Sequence, residues 1–170
     1  LPDQFFDRTS QIHTFFGGGI VAHASFADPI SQKLRHLLYQ VASELDLPVH
    51  NGGTYVNMDG PQFSTRAESE TNRRLGFDII GMTNLPEAKL AREAELCYAT
   101  VALVTDYDCW HQTEEPVTVE AILATLCQNV ALAKRLLRAA VKSAASVIAC
   151  PCQQALQHAI VTAPDAIPAG

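Results

Sequence analysis

Apolar residues recur along this chain with two distinct periods, and the alternation between them predicts the architecture. Ile30, Leu34, Leu37, Leu38, Val41 and Leu45 fall at helical spacing. They predict a helix with one buried face, opened by the cap and first-turn proline Asp28-Pro29 and ended by Pro48. The β-prone run Thr54-Tyr55-Val56 stops at Asp59-Gly60-Pro61, a strand running into a turn. Thr65-Arg66-Ala67-Glu68 has the spacing of a capping box and predicts a short helix closed by Gly76. Phe77 to Met82 is the next predicted strand. Asn84-Leu85-Pro86-Glu87 then opens a helix with Leu90 and Ala94 on its buried side. Tyr98 to Val104 is an unbroken apolar run, the pattern of a parallel strand covered on both faces. After Pro116-Val117, Thr118 caps the longest predicted helix, with Ile122, Leu126, Val130, Ala133, Leu137 and Val141 along one stripe. The ends are less regular. Gly17-Gly18-Gly19 precedes a short predicted strand at Ile20 to His23, and the Ala-rich tail from Ser143 predicts only a short helix near Cys152 to Ile160.

Strands alternating with helices predict an α/β fold with a mixed, largely parallel sheet flanked by helices. The visible strands are few for a self-contained doubly wound domain, so the pattern reads as part of a larger fold. The 170 residues, 48% of them apolar, nevertheless suffice for a real core. A net charge of −6 and a pI near 5.4 argue against a broad grip on nucleic acid. The longest uncharged apolar run, near Cys97 to Val104, is far short of the roughly 20 residues a membrane helix needs. Leu1-Pro2-Asp3-Gln4 lacks the basic end and apolar centre of a signal peptide. It also lacks an initiator Met, so a trimmed, cleaved or cut chain is expected. Five cysteines without framework spacing fit a reducing compartment, and cytoplasm is the expectation.

Candidate chemistry concentrates where the apolar run 98–104 ends, at Asp106 and Asp108. Residues i and i+2 of an extended backbone point to the same side, and open α/β sheets collect ligands at strand ends. Such a pair either serves a ligand or merely caps and solvates the loop from Asp106 to Glu115, which also holds His111 and Glu114. Cys150-Pro151-Cys152, with His158 nearby, could close a strained disulfide or contribute to a metal site. No second pair of ligands stands at recognisable spacing, so these read as structural free thiols and no metal is expected. The acids of the 106–115 loop lack the glycine and final glutamate of a calcium loop, and no dinucleotide or Walker pattern occurs.

Gly60-Pro61-Gln62-Phe63, Phe77-Asp78-Ile79-Ile80-Gly81-Met82-Thr83 and Thr105-Asp106-Tyr107-Asp108-Cys109-Trp110 together resemble the purine nucleoside phosphorylases. More narrowly, they resemble the members acting on S-methyl-5′-thioadenosine, and the resemblance extends over nearly the whole chain. It implies phosphorolysis of that nucleoside to adenine and 5-methylthioribose 1-phosphate, a purine and methionine salvage reaction. Inorganic phosphate would be co-substrate, without organic cofactor or metal. Asp106 would assist the departing purine at N7 and Asp108 would accept from its 6-amino group. These roles are interchangeable in a coupled pair, and a carboxyl held neutral by burial is the suitable donor. Carried over in the same way, Phe63 packs on the base, Met82 lies against the ribose, and Thr83 offers its hydroxyl and N–H to phosphate before a helix start. Phe63 and Met82 would otherwise be ordinary core residues. Val119 and Ile122 would cover the 5′ methylthio group, or simply belong to the first turn of a buried stripe. His23 would reach a neighbouring subunit's 5′ pocket.

Relatives that cleave 6-oxopurine nucleosides read Gly-Pro-x-Phe-Glu-Thr and end the later strand in Thr-Asn. Here Ser64 and Asp106 stand at those places, which favours adenine, because a mismatched base leaves buried polar groups unpaired. Family members are longer and carry an amino-terminal portion with a glycine-rich phosphate loop, an Arg-His phosphate pair and several strands. Residues 1–170 are therefore expected to be the carboxy-terminal portion of one phosphorylase domain. An amino-terminal chain or fragment would complete it, and complete protomers would form trimers or multiples of trimers. The alternatives are a 6-oxopurine or general purine nucleoside phosphorylase, and a non-catalytic nucleoside-binding subunit.

Overall fold

The computed structural model describes residues 1–111, 118–146 and 150–168. Three short strands, β1 (Gln4–Asp7), β2 (Thr54–Asn57) and β3 (Ile79–Gly81), pair in parallel in the order β1-β2-β3. Parallel neighbours require crossovers. α1 (Gln32–Glu44) lies between β1 and β2 in the chain, and α2 (Arg66–Arg74) lies between β2 and β3. β2 is the central strand, and Tyr55, Val56 and Asn57 on it are buried. β1 was not among the predicted strands, because Gln4-Phe5-Phe6-Asp7 is too short and too polar at its ends to show a period.

Capping residues set most of the helix boundaries. Ser31, not Asp28, caps α1, its hydroxyl accepting from the Leu34 N–H at 3.3 Å. Ile30 consequently precedes the helix as a buried anchor. α1 ends at Glu44, before Pro48, because Asp46 takes a left-handed φ of +52° and Leu47 N–H bonds back to Ala42. The predicted capping box of α2 is present: Thr65 accepts from Glu68 N–H, and the Glu68 carboxylate accepts from Thr65 N–H. Those bonds to Thr65 hold the Glu68 carboxyl below its ordinary pKa. Thr118 likewise caps α4 (Val119–Ser143), its hydroxyl accepting from Ala121 N–H.

Four expectations are corrected. First, residues 98–104 form no strand and pair with none among the described residues. Their polar groups find other partners, Tyr98 C=O accepting from Ser31 N–H and Val104 C=O from the Asn129 side chain. Second, the predicted strand at Ile20 to His23 reduces to one antiparallel bridge, Ala22 with Ile160. Third, the tail forms a 3₁₀ turn at Pro151–Gln154, followed by further turns, rather than an α-helix.

Fourth, two helices bury other residues than their spacing suggested. In α3 (Glu87–Glu93) Ala88 is buried while Leu90 is half-buried and Ala94 exposed, because Ala88 N–H bonds to the carbonyl of buried Asn84 and holds the first turn inward. On α4 the buried positions are Leu136 and Ala140, which join Leu38, Val41 and Ala42 of α1 in the core. Leu126, Leu137 and Val141 of the predicted stripe are exposed, Val141 at 72%. Only one row of α4 meets α1, and the adjacent apolar row faces outward. No helix among the described residues is long and apolar enough to cross a membrane.

Two substitutions probe this frame. A Cβ on Gly81 would lie 2.1 Å from the hydroxyl of buried Tyr55, so Gly81→Ala should cost about 1–3 kcal/mol in denaturant unfolding; an unchanged midpoint would mean that Tyr55 is free to withdraw. Thr65→Ala removes the α2 cap and should cost about 1 kcal/mol in the same experiment.

Candidate functional site

The site grows from the carboxy-terminal ends of β2 and β3. Asn57, the last residue of β2, is fully buried and its amide donates to the Thr83 carbonyl at 2.6 Å. Tyr55 and Thr83 share a hydroxyl–hydroxyl hydrogen bond of 3.3 Å. The two strand ends are therefore laced together at Thr83, which leaves the sheet exposed at the surface. After β2 the chain turns through a cis Gly60–Pro61 bond with Gly60 at φ +71°. A Cβ on Gly60 would fall 2.4 Å from Met82 Sδ, so the methionine lies flat against that turn. Met82 and the loop leading to Phe63 and Ser64 are thus brought together. Ser64 is half-buried, its hydroxyl 3.9 Å from Met58 Sδ. Phe63 is 86% exposed, so it is not the buried core phenylalanine of the ordinary reading.

The acidic loop docks on the same region. Cys109 Sγ lies 3.6 Å from the Ser64 carbonyl, and Arg66 donates to the Cys109 carbonyl at 3.0 Å. Trp110 N–H bonds to the buried Ser69 hydroxyl on α2, and the Arg73 guanidinium sits 4.2 Å over the indole ring. Tyr107 stacks on His111 with ring centres 4.5 Å apart. Within that frame Asp106 accepts from the Thr105 hydroxyl at 2.6 Å, and Asp108 accepts from Cys109 N–H at 2.8 Å. The backbone bends at Asp106, so the two carboxylates have separate local anchors instead of sharing one straight strand edge. Asp106 is exposed and Asp108 half-buried. The sequestration that a neutral carboxyl requires is not supplied by the described residues of this chain. Glu114 and Glu115 lie outside the described residues.

Thr83 stands apart from the helix start it was expected to adjoin. α3 begins only at Glu87, and the Thr83 hydroxyl is shared with Tyr55. Between them Asn84 is buried at φ +94°, its side-chain oxygen accepting from the Tyr98 and Thr100 hydroxyls at 2.9 and 2.5 Å. This ties the segment that carries the acids to the residue beside Thr83. Asn57 and Asn84 are therefore the positioning residues that the sequence reading missed. Their signal is faint: an asparagine ending a β-run, and another just before Leu-Pro. Asn57 Oδ1 and Asn84 Nδ2 are buried without a partner among the described residues, an arrangement that costs stability unless a ligand or solvent meets them.

The remaining candidates lie farther out. Val119 is 67% exposed and Ile122 half-buried on the first turn of α4. The Asn129 side chain donates to Val104 C=O at 2.7 Å and lays α4 along the segment leading into Asp106. His23 is exposed and belongs to another region: its N–H bonds to Ala159 C=O, and it lines a cavity of about 660 Å³ with Arg92, Cys150, Cys152 and His158.

One group of metal-capable atoms gathers tightly among the described residues. The sulfurs of Cys97, Cys150 and Cys152 all lie within 4.8 Å of one another. Ser31 Oγ is 3.2 Å from Cys150 Sγ. Burial pushes the Cys97 thiol up to about 12. Burial opposes ionisation of Cys150 as well, but hydrogen bonds with Cys97, Ser31 and Cys152 outweigh it and bring that thiol down to about 7. Spacing showed only the Cys-Pro-Cys pair, because the third thiol comes from a distant loop.

Comparison with known proteins places this geometry in context. The family model described as the Phosphorylase superfamily matches residues 1–142. The chain is 55% identical to the S-methyl-5′-thioadenosine phosphorylase of Geobacter sulfurreducens, over 99% of this chain and 60% of that protein. It is 52% identical to the Koribacter versatilis protein of the same name, over 99% and 58%. Among solved structures, a methylthioadenosine phosphorylase from an antarctic soil metagenomic library superposes with a TM-score of 0.89 at 45% identity, covering 99% of this chain and 60% of that one. The Schistosoma mansoni methylthioadenosine phosphorylase in complex with adenine gives 0.77 at 34% identity, covering 84% and 58%. The chain thus spans about 60% of the length of the first of these relatives.

Proposed function

The chain belongs to the Phosphorylase superfamily, and from that premise we propose that it carries the purine-binding part of an enzyme converting S-methyl-5′-thioadenosine and phosphate to adenine and 5-methylthioribose 1-phosphate. The observation that carries this reading is the docking of the Asp106–Trp110 loop on Ser64 and α2, beside the turn after β2 where Met82 lies against Gly60. In this reading the acid pair faces the base, the Met82 thioether the ribose and the Thr83 hydroxyl the phosphate.

The chemistry follows from what the bond cleavage needs. A phosphate oxygen attacks C1′ as the bond to purine N9 breaks, and the bonding electron pair passes into the base. A proton delivered to N7 neutralises that charge, and a positioned acid contributes typically 10²–10⁴ in rate. Asp106 is the N7 donor and Asp108 accepts from the 6-amino group, while Ser64 leaves no acid to hold a 6-oxopurine. Thr83 contributes its hydroxyl to phosphate, and Val119 and Ile122 give an apolar face to the methylthio group. No metal or organic cofactor enters these steps.

Exposure of Phe63, Asp106 and Val119 in this chain fits a site covered by additional polypeptide. In this reading an amino-terminal phosphorylase portion supplies the rest of the phosphate contacts. Protomers assemble as trimers or multiples of trimers, with His23 at a neighbour's 5′ pocket. The setting is cytoplasmic purine and methionine salvage. The names of the relatives, which specify methylthioadenosine, support the choice of substrate.

Steady-state phosphorolysis by the full protein, followed by adenine release, tests the assignments. Asp106→Asn should lower kcat by about 10²–10⁴ with a much smaller change in KM; an unchanged kcat would remove the acid role. Asp108→Asn should shrink the preference for 6-amino over 6-oxo nucleosides, and a constant ratio would sink that assignment. Thr83→Val should raise the KM for phosphate while leaving nucleoside KM nearly unchanged; the reverse pattern would place phosphate elsewhere.

A further inference from the structure

Remote from the acid pair, the loop that follows α3 meets the carboxy-terminal tail at Cys97, Cys150 and Cys152. We propose that these three thiols form a binding site for a soft, thiophilic d10 cation of the zinc(II) or copper(I) kind, which fastens the tail to the helical core. Zinc–thiolate bonds of about 2.3 Å in tetrahedral array hold sulfurs about 3.8 Å apart. Sulfurs already within 4.8 Å of one another need close only by about 1 Å to grip such an ion.

The surroundings favour a soft ion over a hard one. Cys150 and Cys152 are buried and Cys97 half-buried, and among the described residues no carboxylate joins the cluster. Thiolate ligands select zinc and copper(I), whereas magnesium and calcium want oxygen. Pro151 fixes its own φ between the two tail cysteines and limits how far they can part. Arg92 lines the adjoining cavity and places a permanent positive charge near the thiolates, offsetting the excess negative charge of a tris-thiolate complex. That same cavity, which His158 also lines, leaves room for a water or an imidazole as a fourth ligand to zinc. Copper(I) is satisfied by three sulfurs alone.

The site would join segments that are otherwise lightly connected. Ser31, the cap of α1, touches Cys150 and bonds through its N–H to Tyr98, the residue after Cys97. The tail itself is held by the Ala22–Ile160 bridge, by Thr162 bonding to Val21 N–H and Gly19 C=O, and by the bond from Leu156 N–H to Glu95. A metal here would bind the tail, the cap of α1 and the start of the 98–104 segment into one unit.

The test uses the full protein carrying this chain, reduced and freed of metal by a chelator under anaerobic conditions. Zinc and copper(I) are offered in separate arms, and bound metal is counted after desalting. One equivalent per chain is expected in at least one arm, with a rise in Tm of roughly 5–10 °C at saturating metal. Cobalt(II) in place of zinc should show a thiolate-to-metal charge-transfer band. Cys97→Ala and Cys152→Ala should abolish uptake, and Cys109→Ala and Cys127→Ala should retain it. Should a cluster variant fail to fold, the wild type still decides: metal must slow alkylation of Cys97, Cys150 and Cys152 but not of exposed Cys109 and Cys127. No uptake of either ion by the reduced protein would overturn the proposal. So would uptake that survives Cys97→Ala, alkylation indifferent to metal, or a Cys150–Cys152 disulfide whose reduction yields no binding.

Discussion

The hydrogen bond from Asn57 to the Thr83 carbonyl is the constraint on which the geometry of this chain turns. It locks the end of the central strand to a residue just beyond its neighbour, and with Asn57 itself fully buried a broken contact would leave its amide unsatisfied. With Tyr55 holding the Thr83 hydroxyl from one side and Gly60 accepting Met82 against its bare Cα, neither strand end can slide without losing the other. Asn84, next in the chain, takes hydroxyls from Tyr98 and Thr100 and transmits the same registration to the segment that leads into the aspartates. Three stretches far apart in sequence thus share one reference point.

How much of this was legible in the sequence depends on how local each signal is. The capping box at Thr65 and the cap at Thr118 are local chemistry, and they appear where the spacing put them. β2 and β3 were readable from apolar runs ended by turn residues. The 98–104 run carries the same apolar signal but pairs with no strand among the described residues, because ladder formation depends on a neighbour that composition cannot specify. α4 shows a related difficulty: two apolar rows lie side by side, and only packing against α1 selects Leu136 and Ala140 over Leu137 and Val141. At the candidate site the reacting types were visible, but the asparagines that position them were not, and Cys97 joined the Cys-Pro-Cys pair only through the fold.

The exposure pattern fits the length relationship with the relatives. Phe63, Val119 and the outer row of α4 are large apolar groups left at the surface, and contiguous apolar exposure usually marks a contact surface. The chain spans about 60% of relatives that are more than half identical to it. Under the proposed function, the strand ends would form one wall of the site, with other polypeptide completing it. The thiol cluster lies among different elements, and of the residues assigned to the nucleoside only His23 lines the cavity beside it.

A crystal structure of the full protein with adenine and phosphate bound tests the central claim most directly. Adenine N7 and the 6-amino group should each sit about 2.6–3.2 Å from a carboxylate oxygen of Asp106 or Asp108, with both side chains then shielded from bulk water. A purine bound elsewhere, or those carboxylates still facing open solvent in the complete assembly, would contradict it.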